Sequence, residues 1–304
     1  MRGDVLNMAE IIDGKAVAQD IRDGLGNAVK ELEEEGITPC LATVLMSDDP
    51  AAEKYVSMKQ SDCEEVGIAT RDPEITAEDS AEDLYNLIEE LNNDPEVHGI
   101  LVQLPLPDHV EEQPVIDQIS PQKDVDGFHP ENVGKLVIGN PRFKPCTPHG
   151  VQMLLDAYDI ETEGKDAVVV GRSNIVGKPM ANIFIQKADG GNATTTVCHS
   201  RTQDLESKVK QADILVAAAG VAEFIDGSMI SEDTIVIDVG TNSVERDGER
   251  TLVGDVEFES AEQKASAITP VPGGVGPMTR AMLLYNTVKA AALQNDVDVS
   301  LPKQ

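Results

Sequence analysis

Six short apolar runs alternate along this chain with longer segments of helical periodicity, and the runs are too short for anything but buried strands. They are Pro39 to Met46, Gly99 to Leu104, Lys165 to Gly171, Thr194 to His199, Asp213 to Ala218 and Thr234 to Val239. Glycine or proline closes several of them, as at Gly171 and at Pro105 and Pro107. Between the runs lie amphipathic stretches. Ala16 to Glu35 carries Val17, Ile21, Leu25, Ala28, Val29 and Leu32 on one face and stops at Gly36. Pro50 to Val66, ended by Gly67, Ala81 to Asn92, and Gly150 to Tyr158 read as further helices, and Met278 to Leu293 as the last. Strand and helix in strict alternation predict parallel α/β sheets. Pro141, Pro145 and Pro148 cluster between the first and second sets of runs and mark a candidate hinge.

The surface left over is extreme. Of 304 residues, 55 are acidic and 24 basic, giving a net charge of −31. Hydrophobic residues still make up 40% of the chain, ordinary for a globular protein once glycine is added, so the core is normal and the surface is acidic. Such a chain repels nucleic acid, and no basic stretch offsets the repulsion. No apolar run approaches membrane-spanning length, and no signal peptide is evident, so a cytoplasmic protein without membrane contact is expected. Cys40, Cys63, Cys146 and Cys198 lie far apart, which fits a reducing compartment and argues against a zinc knuckle. The five histidines show no metal-ligand spacing, and no metal is expected. At molar salt the Debye length falls to ~3 Å and screens the self-repulsion, so the acidity points to a salt-rich cytoplasm. The competing reading is an acidic protein of an ordinary cell.

The run ending at Gly171 opens the most suggestive local motif, Val168-Val-Val-Gly-Arg-Ser-Asn-Ile-Val-Gly177. It is strand, glycine turn, then helix start, the arrangement that binds a dinucleotide pyrophosphate on backbone N–H groups. Ser173 stands where the usual fingerprint has its middle glycine, so an ordinary glycine turn remains open on this motif alone. The next run ends Val197-Cys-His-Ser200-Arg201. NAD-specific units place a carboxylate there for the ribose 2′-hydroxyl. Here Ser200 and Arg201 stand instead, with Arg172 in the first turn. Two arginines at one corner of so acidic a chain suggest a 2′-phosphate, hence NADP. A solvated Arg201, or one paired to a surface carboxylate, is the alternative.

Other residues are ambiguous singly. Tyr55 and Lys59 are four apart on an expected helix and share a face, which also describes any amphipathic surface. Gln103 ends a strand beside prolines, where a loop cap would also stand. Asp124 and Asp126 in Lys123-Asp-Val-Asp-Gly127 suit a turn as well as a ligand. Together and in order they are more specific. With Tyr55-Val-Ser-Met-Lys59, Val102-Gln-Leu-Pro-Leu-Pro107, Lys123-Asp-Val-Asp-Gly-Phe-His129, Pro145-Cys-Thr-Pro148, the Gly171 to Gly177 loop, Val236-Ile-Asp-Val-Gly240 and Pro270-Val-Pro-Gly-Gly-Val-Gly-Pro-Met-Thr279, the chain resembles the methylenetetrahydrofolate dehydrogenase/methenyltetrahydrofolate cyclohydrolase family from about Ile11 to Ala290.

The resemblance implies two α/β domains. Residues 8–145 with 278–304 would form a folate-binding catalytic domain, the last helix returning to it. Residues 146–277 would form a Rossmann-type NADP-binding domain, and residues 1–7 a loose extension. It implies a homodimer paired through the cofactor domains and two reactions at one site. These are oxidation of 5,10-methylenetetrahydrofolate with NADP and hydrolysis of the methenyl product to 10-formyltetrahydrofolate. Lys59 would move protons, Gln103 would position Lys59 and water, Tyr55 would stack on folate, and Asp126 would bind its amino-pyrimidine edge. Val102, Leu104, Pro272, Gly273 and Gly274 would complete the folate site, where the side-chain-free glycines admit a flat ligand. Gly171, Arg172, Ser173, Ser200, Arg201 and Thr241 would hold the cofactor; Thr241 departs from the aliphatic residue the family often has. Two competitors remain at this point. One is another NADP-linked two-domain dehydrogenase, such as a shikimate-dehydrogenase-like protein, which would not need Gln103 and Asp126 in these strings. The other is a nucleotide-sensing protein with a decayed site, against which the intact Tyr55, Lys59, Gln103 and Asp126 argue.

Overall fold

The computed structural model describes residues 8–246 and 248–303. The expected extension 1–7 lies outside them. The elements run β1 (Glu10–Ile11), α1 (Gly14–Glu34), β2 (Cys40–Val44), α2 (Pro50–Val66), β3 (Ala69–Arg71), α3 (Ala81–Asn93), β4 (Gly99–Val102), α4 (Glu112–Gln118), α5 (Pro130–Val137) and α6 (Cys146–Ala157). They continue with β5 (Asp166–Val170), α7 (Gly177–Phe184), β6 (Thr194–Cys198), α8 (Leu205–Val209), β7 (Ile214–Ala217), β8 (Ile235–Asp238), β9 (Asn242–Arg246), β10 (Glu249–Val253), α9 (Phe258–Glu262), β11 (Ala267–Ile268) and α10 (Val275–Gln294).

The chain divides into two compact units. The first comprises Ala18–Cys146 and Arg280–Lys303. Its sheet is β3-β2-β4, all parallel. Cys40, Ala42 and Val44 alternate along β2 and pack with Ile100 and Val102 of β4 against Leu84, Ile88 and Leu91 of α3, spaced one helical turn apart. Local chemistry fixes the helices around this sheet. The Asp49 carboxylate accepts the Ala51 N–H at 2.9 Å, and Pro50 stands at the first helical position of α2, where its missing N–H costs nothing. Ser80 and Asp83 form a reciprocal capping box at the start of α3.

The second unit comprises the described residues up to Val17 and Thr147–Thr279. It is built on a six-stranded parallel sheet, β1-β11-β8-β7-β5-β6, with the β9–β10 hairpin beside it in the chain. Val168, Val170, Leu215, Ala217, Val236 and Ile268 line one apolar face of that sheet. The strand order reverses at β5, which pairs with β6 on one side and β7 on the other. Ligands bind α/β sheets outside the carboxyl ends of the strands at such a reversal.

The two-domain α/β fold agrees with expectation, and α10 from Arg280 onward belongs to the first unit. One segment differs. Sequence reasoning places residues 8–17 with the folate domain, but β1 pairs in parallel with β11, so this stretch completes the large sheet of the second unit. Two residues of strand give no periodic signal, and their partner lies far along the chain.

Candidate active site

In the first unit, α2 carries Tyr55 and Lys59, and Gln103 follows the last residue of β4. The Gln103 N–H donates to the Val44 carbonyl at 2.9 Å and so continues the β2–β4 ladder. Its side chain is fixed at both ends. Lys59 Nζ donates to Gln103 Oε1 at 2.9 Å, and Gln103 Nε2 donates to the Leu104 carbonyl at 2.8 Å. An ammonium can only donate, so the amide must turn its oxygen to Lys59. Lys59 is half-buried, whereas Tyr55 is 43% exposed, its ring open to a ligand face.

Asp126 is placed by a different device. The Ile100 N–H donates to the Lys123 carbonyl at 2.8 Å, and a single bridge pairs Ile100 with Asp124, laying the Lys123 to Gly127 segment beside β4. Lys123 buries its ammonium and donates to the Leu91 and Asp94 carbonyls at 3.0 and 2.7 Å. Asp124 is spent on the chain itself: it accepts from the Gly127, Phe128 and His129 N–H groups and from Asn132 Nδ2, between 2.8 and 3.2 Å. Asp126 carries no such knot. Burial pushes its carboxyl up, while the Lys59 cation pulls it down and the Asp124 charge adds to the rise. One aspartate therefore builds the turn and the other stays available to an outside donor, a division the sequence left open.

Asn286 was missed by sequence reasoning. Fully buried on α10, it donates to the Val125 carbonyl at 2.7 Å and the Lys144 carbonyl at 3.0 Å, holding the residue before Asp126. A lone amide in the apolar stretch of α10 was its only signal. The Val102 side chain is 7% exposed and packs in the β2–β4–α3 core, and Leu104 packs against the same core. Alternation along β4 turns the Val102 side chain toward α3.

In the second unit, Gly171 ends β5 at the point of strand reversal. A Cβ there would lie 2.0 Å from the Ala218 carbonyl oxygen, and one at Gly177 would lie 2.2 Å from the Gly171 oxygen, so only glycine permits this turn. Ser173 Oγ accepts from the Val176 and Gly177 N–H groups at 3.1 and 3.3 Å and shapes the start of α7. The N–H groups of Arg172, Ser173, Asn174 and Ile175 meet no partner among the described residues, a cradle suited to a pyrophosphate. On the neighbouring strand, the His199 N–H donates to Thr202 Oγ1 at 2.9 Å and the Arg201 N–H to His199 Nδ1 at 3.2 Å. That turn exposes Ser200 and Arg201 at the end of β6, and the register Val170↔Cys198 sets it beside the turn that exposes Arg172. Neither arginine has a carboxylate partner among the described residues. The residues fit a dinucleotide bearing an extra phosphate.

Two further carboxylates support this end of the sheet. Asp255, fully buried, accepts from the Ala219, Gly220 and Val221 N–H groups at 2.6, 2.8 and 3.0 Å, and from Asn242 Nδ2 at 2.9 Å. Asp238 accepts from the Gly240, Asp255 and Val256 N–H groups, each at 2.9 Å, and burial pushes its carboxyl up to about 6. Exposed Thr241 follows directly. The hairpin between Asp238 and Asp255 hid their partnership from sequence reasoning. In the Pro272 loop Pro272 is exposed, while Gly273 and Gly274 are buried against the chain's own atoms. A Cβ at Gly14 would lie 1.8 Å from the Gly274 oxygen, and one at Gly273 would lie 3.3 Å from Lys15 Cε. The loop thus confines position 14 to glycine, and Gly274 is confined by its own neighbours, since a Cβ there would lie 2.7 Å from Thr269 Cβ and 2.8 Å from the Pro270 oxygen.

Known proteins share this arrangement. The catalytic-domain model of tetrahydrofolate dehydrogenase/cyclohydrolase matches residues 12–126, and the NAD(P)-binding-domain model of the same family matches residues 145–295. The chain is 66% identical to bifunctional protein FolD 1 of Haloarcula marismortui over 97% of its own length and 100% of that protein. It is 65% identical to bifunctional protein FolD of Natronomonas pharaonis over the same shares. Among solved structures, the bifunctional methylenetetrahydrofolate dehydrogenase/cyclohydrolase FolD of Campylobacter jejuni is 48% identical with a TM-score of 0.89, covering 94% of this chain and 99% of that one. Two domain models and full-length identity agree with the geometry of Lys59, Gln103 and Asp126, and the chain belongs to the tetrahydrofolate dehydrogenase/cyclohydrolase family.

Proposed function

We propose that the chain oxidises 5,10-methylenetetrahydrofolate to the methenyl form with NADP and hydrolyses that product to 10-formyltetrahydrofolate. The observation that carries the reading is the Lys59–Gln103 hydrogen bond at 2.9 Å, with Asp126 within electrostatic reach of the same lysine. NADP, when bound, accepts the hydride. The methenyl carbon is then a cationic electrophile. Water adds to it, the bond from that carbon to the ring nitrogen N5 breaks as the formyl C=O forms, and both protons leave the water oxygen, one ending on N5 and the other released. Lys59 is the group placed to move those protons, and Gln103 holds both it and the attacking water. Asp126 accepts hydrogen bonds from the amino-pyrimidine edge, a two-point match for a carboxylate. Tyr55 covers the flat ring.

For the cofactor, the free N–H groups of the Arg172 to Ile175 turn take the pyrophosphate, and Arg172, Ser200 and Arg201 take the 2′-phosphate. The related enzyme of Trypanosoma brucei, 38% identical, was solved with NADP, which supports this choice. Thr241 contacts the cofactor through its backbone. We further propose a cytoplasmic homodimer through the second units, supported by the solvent-facing edge strand β6, on which Val197 is 38% exposed, and by Ile185 at 60%. No helix of the described residues is long and apolar enough to cross a membrane. The net charge of −31, with close relatives in Haloarcula and Natronomonas, supports adaptation to salt. Assay of methylenetetrahydrofolate oxidation with NADP and with NAD, and of methenyltetrahydrofolate hydrolysis without cofactor, tests the assignment. Failure of both reactions over all salt concentrations would overturn it.

A further inference from the structure

Lysine and arginine are scarce in this chain, 24 against 55 acidic residues, yet one cleft of about 410 Å³ in the first unit is lined by three of them and by no carboxylate. Lys135, Arg142 and Lys289 supply the charge, and Gln122, Asn140 and Gln294 the neutral polar groups. None of these residues belongs to the machinery assigned above. Lys135 and Arg142 share a single carboxylate, Glu131, at 2.7 and 3.1 Å. Lys289 is half-buried on α10 and has no ion pair among the described residues. Lys144 lies within its field: burial and the Lys289 cation bring the Lys144 ammonium down to about 8. Burial lowers Lys289 as well.

This arrangement costs stability as it stands. Like charges are brought together and partly desolvated on a protein whose surface offers carboxylates in excess. A chain with so many acids has no shortage of partners for Lys289, and the cleft contains none. A concave site lined by one cation without an ion pair, two cations that share a single carboxylate, and amide groups is complementary to a small anion carrying several charges. We infer that this cleft binds a small polyanion of the phosphate class, with Lys289, Lys135 and Arg142 as its charged contacts. Its volume accommodates a chain of phosphates, and lysine ammonium groups bind such groups as point charges. Bound polyanion also removes the repulsion between Lys289 and Lys144.

Calorimetric titration of the full chain with inorganic tripolyphosphate tests the inference. The protein is held saturated with NADP so that the cofactor's phosphate sites are filled, and ionic strength is matched with KCl. One equivalent should bind, and Lys289→Gln should weaken binding by about tenfold or more, the loss expected for one charged hydrogen bond. Lys135→Gln, at a more exposed position, should also weaken it and guards against a folding defect in the first variant. Lys289→Gln without anion should melt higher than the parent, because the repulsion on Lys144 is gone. Arg172→Ala, with its cofactor site saturated by raised NADP, should leave tripolyphosphate binding unchanged. Absence of binding, equal affinity in both lysine variants and parent, or loss confined to Arg172→Ala would each overturn the inference.

Discussion

In the first unit the side chains proposed for catalysis are held by other side chains: Lys59 donates to Gln103, and Asp126 rests on a turn knotted by Asp124 and anchored by Asn286. In the second unit the recognition surface is mostly backbone. Gly171 and Gly177 let main chain approach main chain, and buried Asp238 and Asp255 absorb the N–H groups of the surrounding loops. The difference follows the ligands. Proton transfer needs a titratable group at one defined point, whereas a pyrophosphate spreads its charge and is matched by several N–H dipoles. Loss of one side chain should therefore be severe in the first unit and graded in the second.

The sharpest break of this contrast is Lys59→Met. It should lower methenyltetrahydrofolate hydrolysis by about 10²–10⁴-fold, the usual contribution of a positioned acid–base group, while calorimetry shows NADP affinity unchanged. Hydrolysis at the parental rate would remove Lys59 from its role. Asp126→Ala should raise the folate KM by about 10–100-fold, equivalent to one or two charged hydrogen bonds of ~1.5–3 kcal/mol, with the melting temperature little altered. Unchanged KM and kcat would reject the pyrimidine contact. In the second unit, Arg172→Ala should weaken NADP by about tenfold and leave NAD almost unaffected, since only the 2′-phosphate distinguishes them. Equal losses for both cofactors would show that Arg172 does not read the phosphate.

Salt should act on both units alike, because the net charge of −31 has no basic domain to balance it. Melting temperature and activity should climb steeply at low KCl and continue into the molar range, and sucrose should not reproduce the early rise. A flat melting curve over that range would defeat salt adaptation and leave the folate assignment standing.

The smallest effect is local and depends on pH. Lys144 is lowered to about 8 from an unfolded value near 10.4, so its stabilising contribution is complete above about 10.4 and is lost as pH falls through 8. Asp238 is raised to about 6 from about 3.9, so its contribution is complete below about 3.9 and is lost as pH rises through 6. Hydrogen exchange resolved by segment should show protection rising around Lys144 between pH 8 and 10 and falling around Asp238 between pH 4 and 6. Lys144→Met should reduce the alkaline slope and leave the acid one in place; an alkaline slope unchanged by the substitution would assign it elsewhere.

The longer elements were legible because each declares itself locally. The helix over Pro50–Val66 is marked at both ends by Pro50 and Gly67, and the strands β5, β7 and β8 by unbroken aliphatic runs between turn residues. The order of the motifs likewise named the family. Tertiary structure decided what depends on distant partners. The two-residue strand β1 exists only because β11 lies beside it, and the Val102 side chain joins the core because β4 turns it toward α3. Asn286 meets Val125 across 161 positions of sequence, and Asp255 serves a loop more than 30 residues before it. A periodic pattern reports which face of an element is buried. It does not report which buried polar group will meet which, because a hydrogen bond is directional and its partner is set by how the whole chain packs.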